Sequence, residues 1–169
     1  AKFIHQTSTL TLQLTIAKLL HSLNNETIEM KTITQPSPSN CCVRFEFGLG
    51  DGDIFNFFDA QELKKLAKAL EESTLETLDF YCAIRYHITE ATGKRKPLKF
   101  DYKMLRFRFK DKNMELAAYH ERGNQHIPID DLFLFLQKQI NKKLTQTRHR
   151  TITLKHIVKS QKALSLQQP

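Results

Sequence analysis

Apolar and polar positions alternate most cleanly in the middle of this chain. Leu78, Phe80, Cys82, Ile84, Tyr86 and Ile88 are interleaved with Asp79, Tyr81, Ala83, Arg85 and His87. That period of two predicts a strand over 78–88 with one buried face. Thr92-Gly93-Lys94-Arg95-Lys96-Pro97 then reads as a turn. A second long strand follows and changes phase. Leu98, Phe100, Tyr102 and Met104 share one parity, whereas Leu105, Phe107 and Phe109 share the other. One regular strand cannot bury both sets, so a bulge or bend is expected near residues 103–105, as in a strongly curved sheet. After a turn at Asp111-Lys112-Asn113, Met114, Leu116 and Ala118 alternate into a third strand ending near Glu121. Pro128 suits a first helical turn, with Asp130 and Asp131 at its positive end. Leu132, Phe133, Leu136, Ile140 and Leu144 then form a helical stripe.

The same order appears earlier. A strand over 27–34 is followed by the loop Gln35-Pro36-Ser37-Pro38-Ser39-Asn40. Cys41, Val43, Phe45, Phe47 and Leu49 alternate into a second strand. Asp51-Gly52 signals a hairpin into a short third strand over 54–58. Asp59 with Glu62 reads as a capping box opening a helix faced by Leu63, Leu66, Ala67 and Leu70. The predicted fold is therefore α+β, one domain over 1–169. It comprises two strand-strand-strand-helix units, about 27–72 and 76–144, forming curved antiparallel sheet packed against helices. Leu10, Leu12, Leu14 and Ile16 alternate as a strand would, while Ile16, Leu19, Leu20 and Leu23 fit a helix face. An N-terminal strand running into a short helix is expected. Residues 151–158 are expected to add an edge strand within a basic extension over 145–169, whose last ten residues fray.

Charge sharpens this picture. Between Arg85 and Lys112 ten Lys/Arg face three acids, a net of +7. Between Lys138 and Lys162 eight Lys/Arg face none, a net of +8. The whole chain carries +8, so the remainder is acidic. Such asymmetry is the footprint of a surface for polyanions. No apolar run is long enough to span a membrane, and no secretory signal pattern is visible. Cys41, Cys42 and Cys82 match neither a disulfide framework nor a zinc spacing. An intracellular compartment, cytoplasm or nucleus/nucleoid, is expected.

Motifs for chemistry are sparse. Gly48-Leu49-Gly50-Asp51-Gly52-Asp53 is followed by a strand rather than a helix, so it reads as a hairpin and not a phosphate loop. It also lacks the distal Glu of a calcium loop. His120, Glu121 and His126, near Asp130 and Asp131, contain the residue types of a metal-dependent nuclease, but no regular element makes them converge. No catalytic residue, metal ligand or cofactor is assigned.

The basic hairpin is the better candidate. With Leu105, Phe107 and Phe109 facing inward, Arg106, Arg108 and Lys110 project together from the other face. Lys94, Arg95 and Lys96 crown the adjoining turn, with Lys99 beside them. Arg85 lies on the neighbouring strand, and Tyr81 and Tyr102 offer rings for stacking. In element order the plan is similar to that of the Whirly and purine-rich-element-binding families of single-stranded nucleic-acid-binding proteins. The expected function is binding of RNA or single-stranded DNA through this face without catalysis. The alternatives are the nuclease and a protein-interaction module that pairs with a partner or a second copy through sheet edges.

Overall fold

The computed structural model describes residues 1–52, 54–90 and 92–158. Their strands are β1 (Lys2–Ile4), β2 (Thr27–Glu29), β3 (Cys41–Asp51), β4 (Ile54–Phe57), β5 (Thr77–Thr89), β6 (Arg95–Lys110), β7 (Asn113–Arg122) and β8 (Thr153–His156). Their helices are α1 (Thr9–Leu23), α2 (Ala60–Glu72) and α3 (Ile129–Gln146), with a 3-10 turn at Met30–Thr32. The strands form one antiparallel sheet in the order β2-β3-β5-β6-β7-β1-β8. β4 lies end to end with β2 along the same side of β3. The two units β2-β3-β4-α2 and β5-β6-β7-α3 have the element order expected from the pattern.

Alternation decides which face is covered. Val43, Phe45 and Phe47 of β3, Phe80, Cys82 and Ile84 of β5, Leu105 and Phe107 of β6 and Leu116 of β7 point to one side. There they meet Leu12, Ile16 and Leu20 of α1, Leu66 and Leu70 of α2, and Leu132, Leu136 and Ile140 of α3 in one core. Asp59 caps α2 through the backbone N–H groups of Gln61 and Glu62, as the capping box implies. Among the described residues every helix lies on this side, which leaves the opposite face of the central strands open.

Three expectations are corrected. Leu10 to Ile16 is not strand but the start of α1. Ser8 caps it by accepting from Thr11 N–H, and Leu12, Ile16, Leu19, Leu20 and Leu23 are buried at helical spacing. The turn after β5 is tighter than expected. Gly93, at φ 78°, closes it between Glu90 and Lys94, so Arg95 and Lys96 belong to β6 and pair with Thr89 and Ile88.

The third correction is the most informative. β6 does not change faces near residues 103–105. One irregularity falls beside Lys103, but the extra residue is Glu121 of β7. The other sets Leu98 and Lys99 of β6 opposite Tyr86 alone. From Phe100 to Lys110 the strand alternates without a break, so Asp101 and Lys103 point inward and are fully buried. Phe100, Tyr102 and Met104 point to the open face. The carboxylate of Asp101 makes this arrangement tenable by accepting from Tyr86 Oη at 2.6 Å, Gln125 N at 2.9 Å and His126 N at 3.2 Å.

The C-terminal extension supplies the expected edge strand as β8, Thr153–His156. Asn141 holds the backbone of Ile152 through both its N–H and its C=O, and β8 pairs with β1. The fraying expected of the last ten residues, and Asp53 of the glycine-rich hairpin, lie outside the described residues.

Candidate nucleic-acid interface

Cross-strand pairing fixes the order of side chains on the open face, because directly paired residues share a side. One row runs Phe57, Gly48, Tyr81, Met104, Tyr119. The next runs Glu46, Ala83, Tyr102, Arg122. Aromatic rings connect these rows diagonally. Ring centroids are 5.7 Å apart for Phe55 and Tyr81, 5.3 Å for Tyr81 and Tyr102, and 5.0 Å for Phe100 and Tyr102. The Arg122 guanidinium lies 4.5 Å above the Tyr102 ring. The strip therefore crosses β4, β5 and β6. Its rings are far from hidden: Phe55 is 39% exposed, Phe100 43% and neighbouring Tyr119 68%.

Gly48 and Gly50 explain how Phe55 reaches the strip. Both lie on the open side of β3, opposite Phe57 and Phe55. A Cβ on Gly48 would stand 3.3 Å from Phe55 Cβ, and one on Gly50 3.3 Å from Phe55 Cε1. Their bare backbone is the floor on which the ring lies.

The cations are arranged less simply than a basic face implies. Arg85 is held by Glu46 through two bonds of 2.7 and 3.0 Å, and Arg106 by Asp79 through two of 2.7 and 2.8 Å. These bonds keep both guanidiniums firmly protonated, and they also neutralise them. Arg44 stands directly opposite Arg85, and among the described residues its buried Nε has no hydrogen-bond partner. Arg95 folds from β6 across the face to Thr27 Oγ1 at 3.2 Å. Arg44, Arg85 and Arg95 thus gather at one end of the aromatic strip. Burial pushes the Tyr81 hydroxyl up to about 12, with the charge of Glu121 adding to it, so that it remains a hydrogen-bond donor.

The sequence-predicted residues separate accordingly. Arg85, Tyr102, Arg106, Arg108 and Lys110 share the parity of the open face, and Arg95 reaches over it. Lys94 and Lys96 are exposed at the β5–β6 connection, and Lys99 is exposed at the irregularity of β6 just before Phe100. Sequence reasoning missed Phe55, Phe100, Tyr119 and Arg122, and also the acids that neutralise Arg85 and Arg106. Two glycines at alternate positions of a strand were the available signal for Phe55. Nothing in the pattern distinguished Phe100 from a core residue.

The histidine cluster does not converge. His120 Nδ1 faces Lys103 Nζ at 3.5 Å and its Nε2 faces Gly123 O, whereas His126 packs edge-on against Tyr86. Asp131 accepts from Thr34 Oγ1 at 2.5 Å. Among the described residues no group of three His, Cys, Asp or Glu is placed to hold a metal. Cys41 and Cys82 are buried on core faces, with burial holding both thiols protonated. No described helix is long and apolar enough to cross a membrane. Comparison with family models, curated proteins and solved structures gave no match, so the reading of this face rests on its geometry, and the likeness in element order to the Whirly and purine-rich-element-binding families gains no support.

Proposed function

We propose that the protein binds RNA or single-stranded DNA on the open sheet face without catalysing a reaction on it. The observation that carries this reading is the exposed strip Phe55–Tyr81–Tyr102–Phe100, with Arg122 over the Tyr102 ring and Arg44, Arg85 and Arg95 gathered at the Phe100 end. Every base has a π face, and stacking on an aromatic side chain contributes about 1–3 kcal/mol per base. A duplex hides those faces between its own base pairs, which favours unpaired strands. Guanidiniums beside the rings suit phosphate and base edges alike. Three reduced thiols fit an intracellular setting, cytoplasm or nucleoid.

Fluorescence anisotropy with labelled single strands of about 12 nucleotides, RNA and DNA, tests the proposal against a duplex of the same sequence. Single strands are expected to bind, and Phe100→Ala with Tyr102→Ala is expected to weaken binding at least tenfold while circular dichroism is unchanged. No binding at low salt, or an unaffected double variant, overturns it.

A second reading rests on β4. Ile54 is 59% exposed and Phe57 54%, on a strand paired on one side only, which suits docking of a second copy. Sedimentation of wild type and Ile54→Lys separates the two: a dimer lost in the variant, with no nucleic-acid binding, favours assembly over recognition.

A further inference from the structure

The second basic stretch joins the open face through the sheet itself. The row of directly paired residues that begins at Arg108 on β6 continues through Glu115 on β7 and Lys2 on β1 to His156 on β8. The register shifts between Lys2 and Phe3, so Lys155 is the extra residue at this outer edge. Arg150 is fixed at the same edge by donating to Gln6 Oε1, just after β1, while Asn141 anchors Ile152 to α3. Arg108, Lys2, Arg150, Lys155 and His156 are all exposed, and the described residues contain no ion pair to any of them. Glu115 is the one acid in the row. From residue 138 to 158 the chain contains no acid at all.

We infer that this row is a phosphate track. A single strand stacked on the aromatic strip leaves it past Arg108 and crosses β1 and β8, its phosphodiester backbone lying on Lys2, Lys155 and Arg150. The inference rests on the open face being a nucleic-acid site. Its basis is a division of labour. At the strip, Arg85 and Arg106 are neutralised by their own carboxylates. Along the row Arg108, Lys2 and Lys155 form no ion pair among the described residues, with Glu115 standing between the first two. From β6 to β8 is three strand spacings, about 14 Å, so only a strand longer than the stacked bases reaches the edge. Short and long strands should therefore differ in how salt weakens them, because each phosphate neutralised contributes about 0.7 to the log–log slope for single strands.

The full chain is titrated with single strands of about 4 and about 16 nucleotides over a range of KCl concentrations. Wild type, Lys2→Glu/Arg150→Glu/Lys155→Glu and Tyr102→Ala are compared. For the long strand the triple variant is expected to flatten the salt slope by about 2 and to bind at least tenfold more weakly at low salt. The short strand is expected to bind wild type and triple variant alike, and Tyr102→Ala is expected to weaken both lengths. A long-strand slope and affinity unchanged by the triple variant overturns the track, while a loss with Tyr102→Ala keeps the open-face site. If Tyr102→Ala leaves both lengths bound as tightly as wild type, the open-face reading itself falls. Glutamine at the same three positions provides the same readout should charge reversal impair folding.

Discussion

The Tyr86 hydroxyl donates to Asp101 Oδ2 at 2.6 Å, with both side chains shut away from solvent beneath the sheet. The same carboxylate takes the N–H groups of Gln125 and His126, tying β5 and β6 to the loop that leads into α3. Asp101→Ala leaves the buried Tyr86 hydroxyl and two part-buried backbone N–H groups without an acceptor and is expected to destabilise the protein by about 2 kcal/mol or more. Tyr86→Phe removes one bond and is expected to cost about 1–2 kcal/mol. Urea unfolding measures both. A loss below about 1 kcal/mol for Asp101→Ala contradicts its role in holding these elements together.

Gly123 closes that loop over Asp101. Its φ is 112°, and a Cβ there would fall 2.7 Å from Asp101 Cα, closer than real Cβ atoms come. Gly123→Ala is therefore strained in backbone and contact together, with an expected loss of at least 2 kcal/mol, about twice the usual effect of a point substitution. Ala at Gly52, whose φ is also positive but whose surroundings are open, is the control for backbone strain alone. Equal losses at the two positions would show that the contact with Asp101 matters little.

On the proposed reading of the open face, neutralising Asp79 should strengthen nucleic-acid binding. Asp79→Asn frees the Arg106 guanidinium from a bidentate partner and removes a negative charge from the open face. The expected result is a few-fold gain in affinity at low salt and a salt slope steeper by about 0.7. Anisotropy titrations at several salt concentrations read both. Weaker binding would mean that Asp79 serves by orienting Arg106 rather than by masking it.

Lys103 makes stability depend on alkaline pH. Burial holds its ammonium below the ordinary value of 10.5, against the pull of Asp101. Between the depressed value and 10.5 the unfolded chain binds the extra proton, so stability rises with pH across that window. Below the window the penalty is present in full, and above it both states are neutral. Lys103→Met lacks the group. Relative to this variant, wild type should gain stability as pH rises from neutral toward the ordinary lysine value of 10.5. Tyr86 titrates in both proteins and cancels in the comparison. A constant difference across the range would place the Lys103 charge in water.

Much of the fold is legible because one face of the sheet is buried. Alternation in β3 and β5, the Asp59 cap and the stripe of α3 all agree with the local structure. β6 is where the pattern and the structure part. Phe100 and Tyr102 have the greater apolar surface, and their burial in place of Asp101 and Lys103 is what a hydrophobicity pattern predicts. Long-range hydrogen bonds to Asp101, from residues 15 to 25 positions away, overrule it. No short window of sequence contains those partners. The site was hard to read for the same reason: the rings that compose it resemble core residues misplaced by one position. The N-terminal helix was obscured differently, since its leucines and threonines alternate over the stretch before helical spacing becomes unambiguous.

β4 spans four residues, bonds to a neighbour along one side and carries Phe55. β6, which carries Tyr102 and Phe100, is flanked by β5 and β7. The two ends of the strip therefore differ in compliance. Opening β4 breaks few bonds and leaves the β3–β5 ladder intact, so its amides should exchange with solvent sooner than those of β6. Phe55 is thus the ring of the strip that can give way, while Tyr102 and Phe100 sit on a strand bonded along both sides.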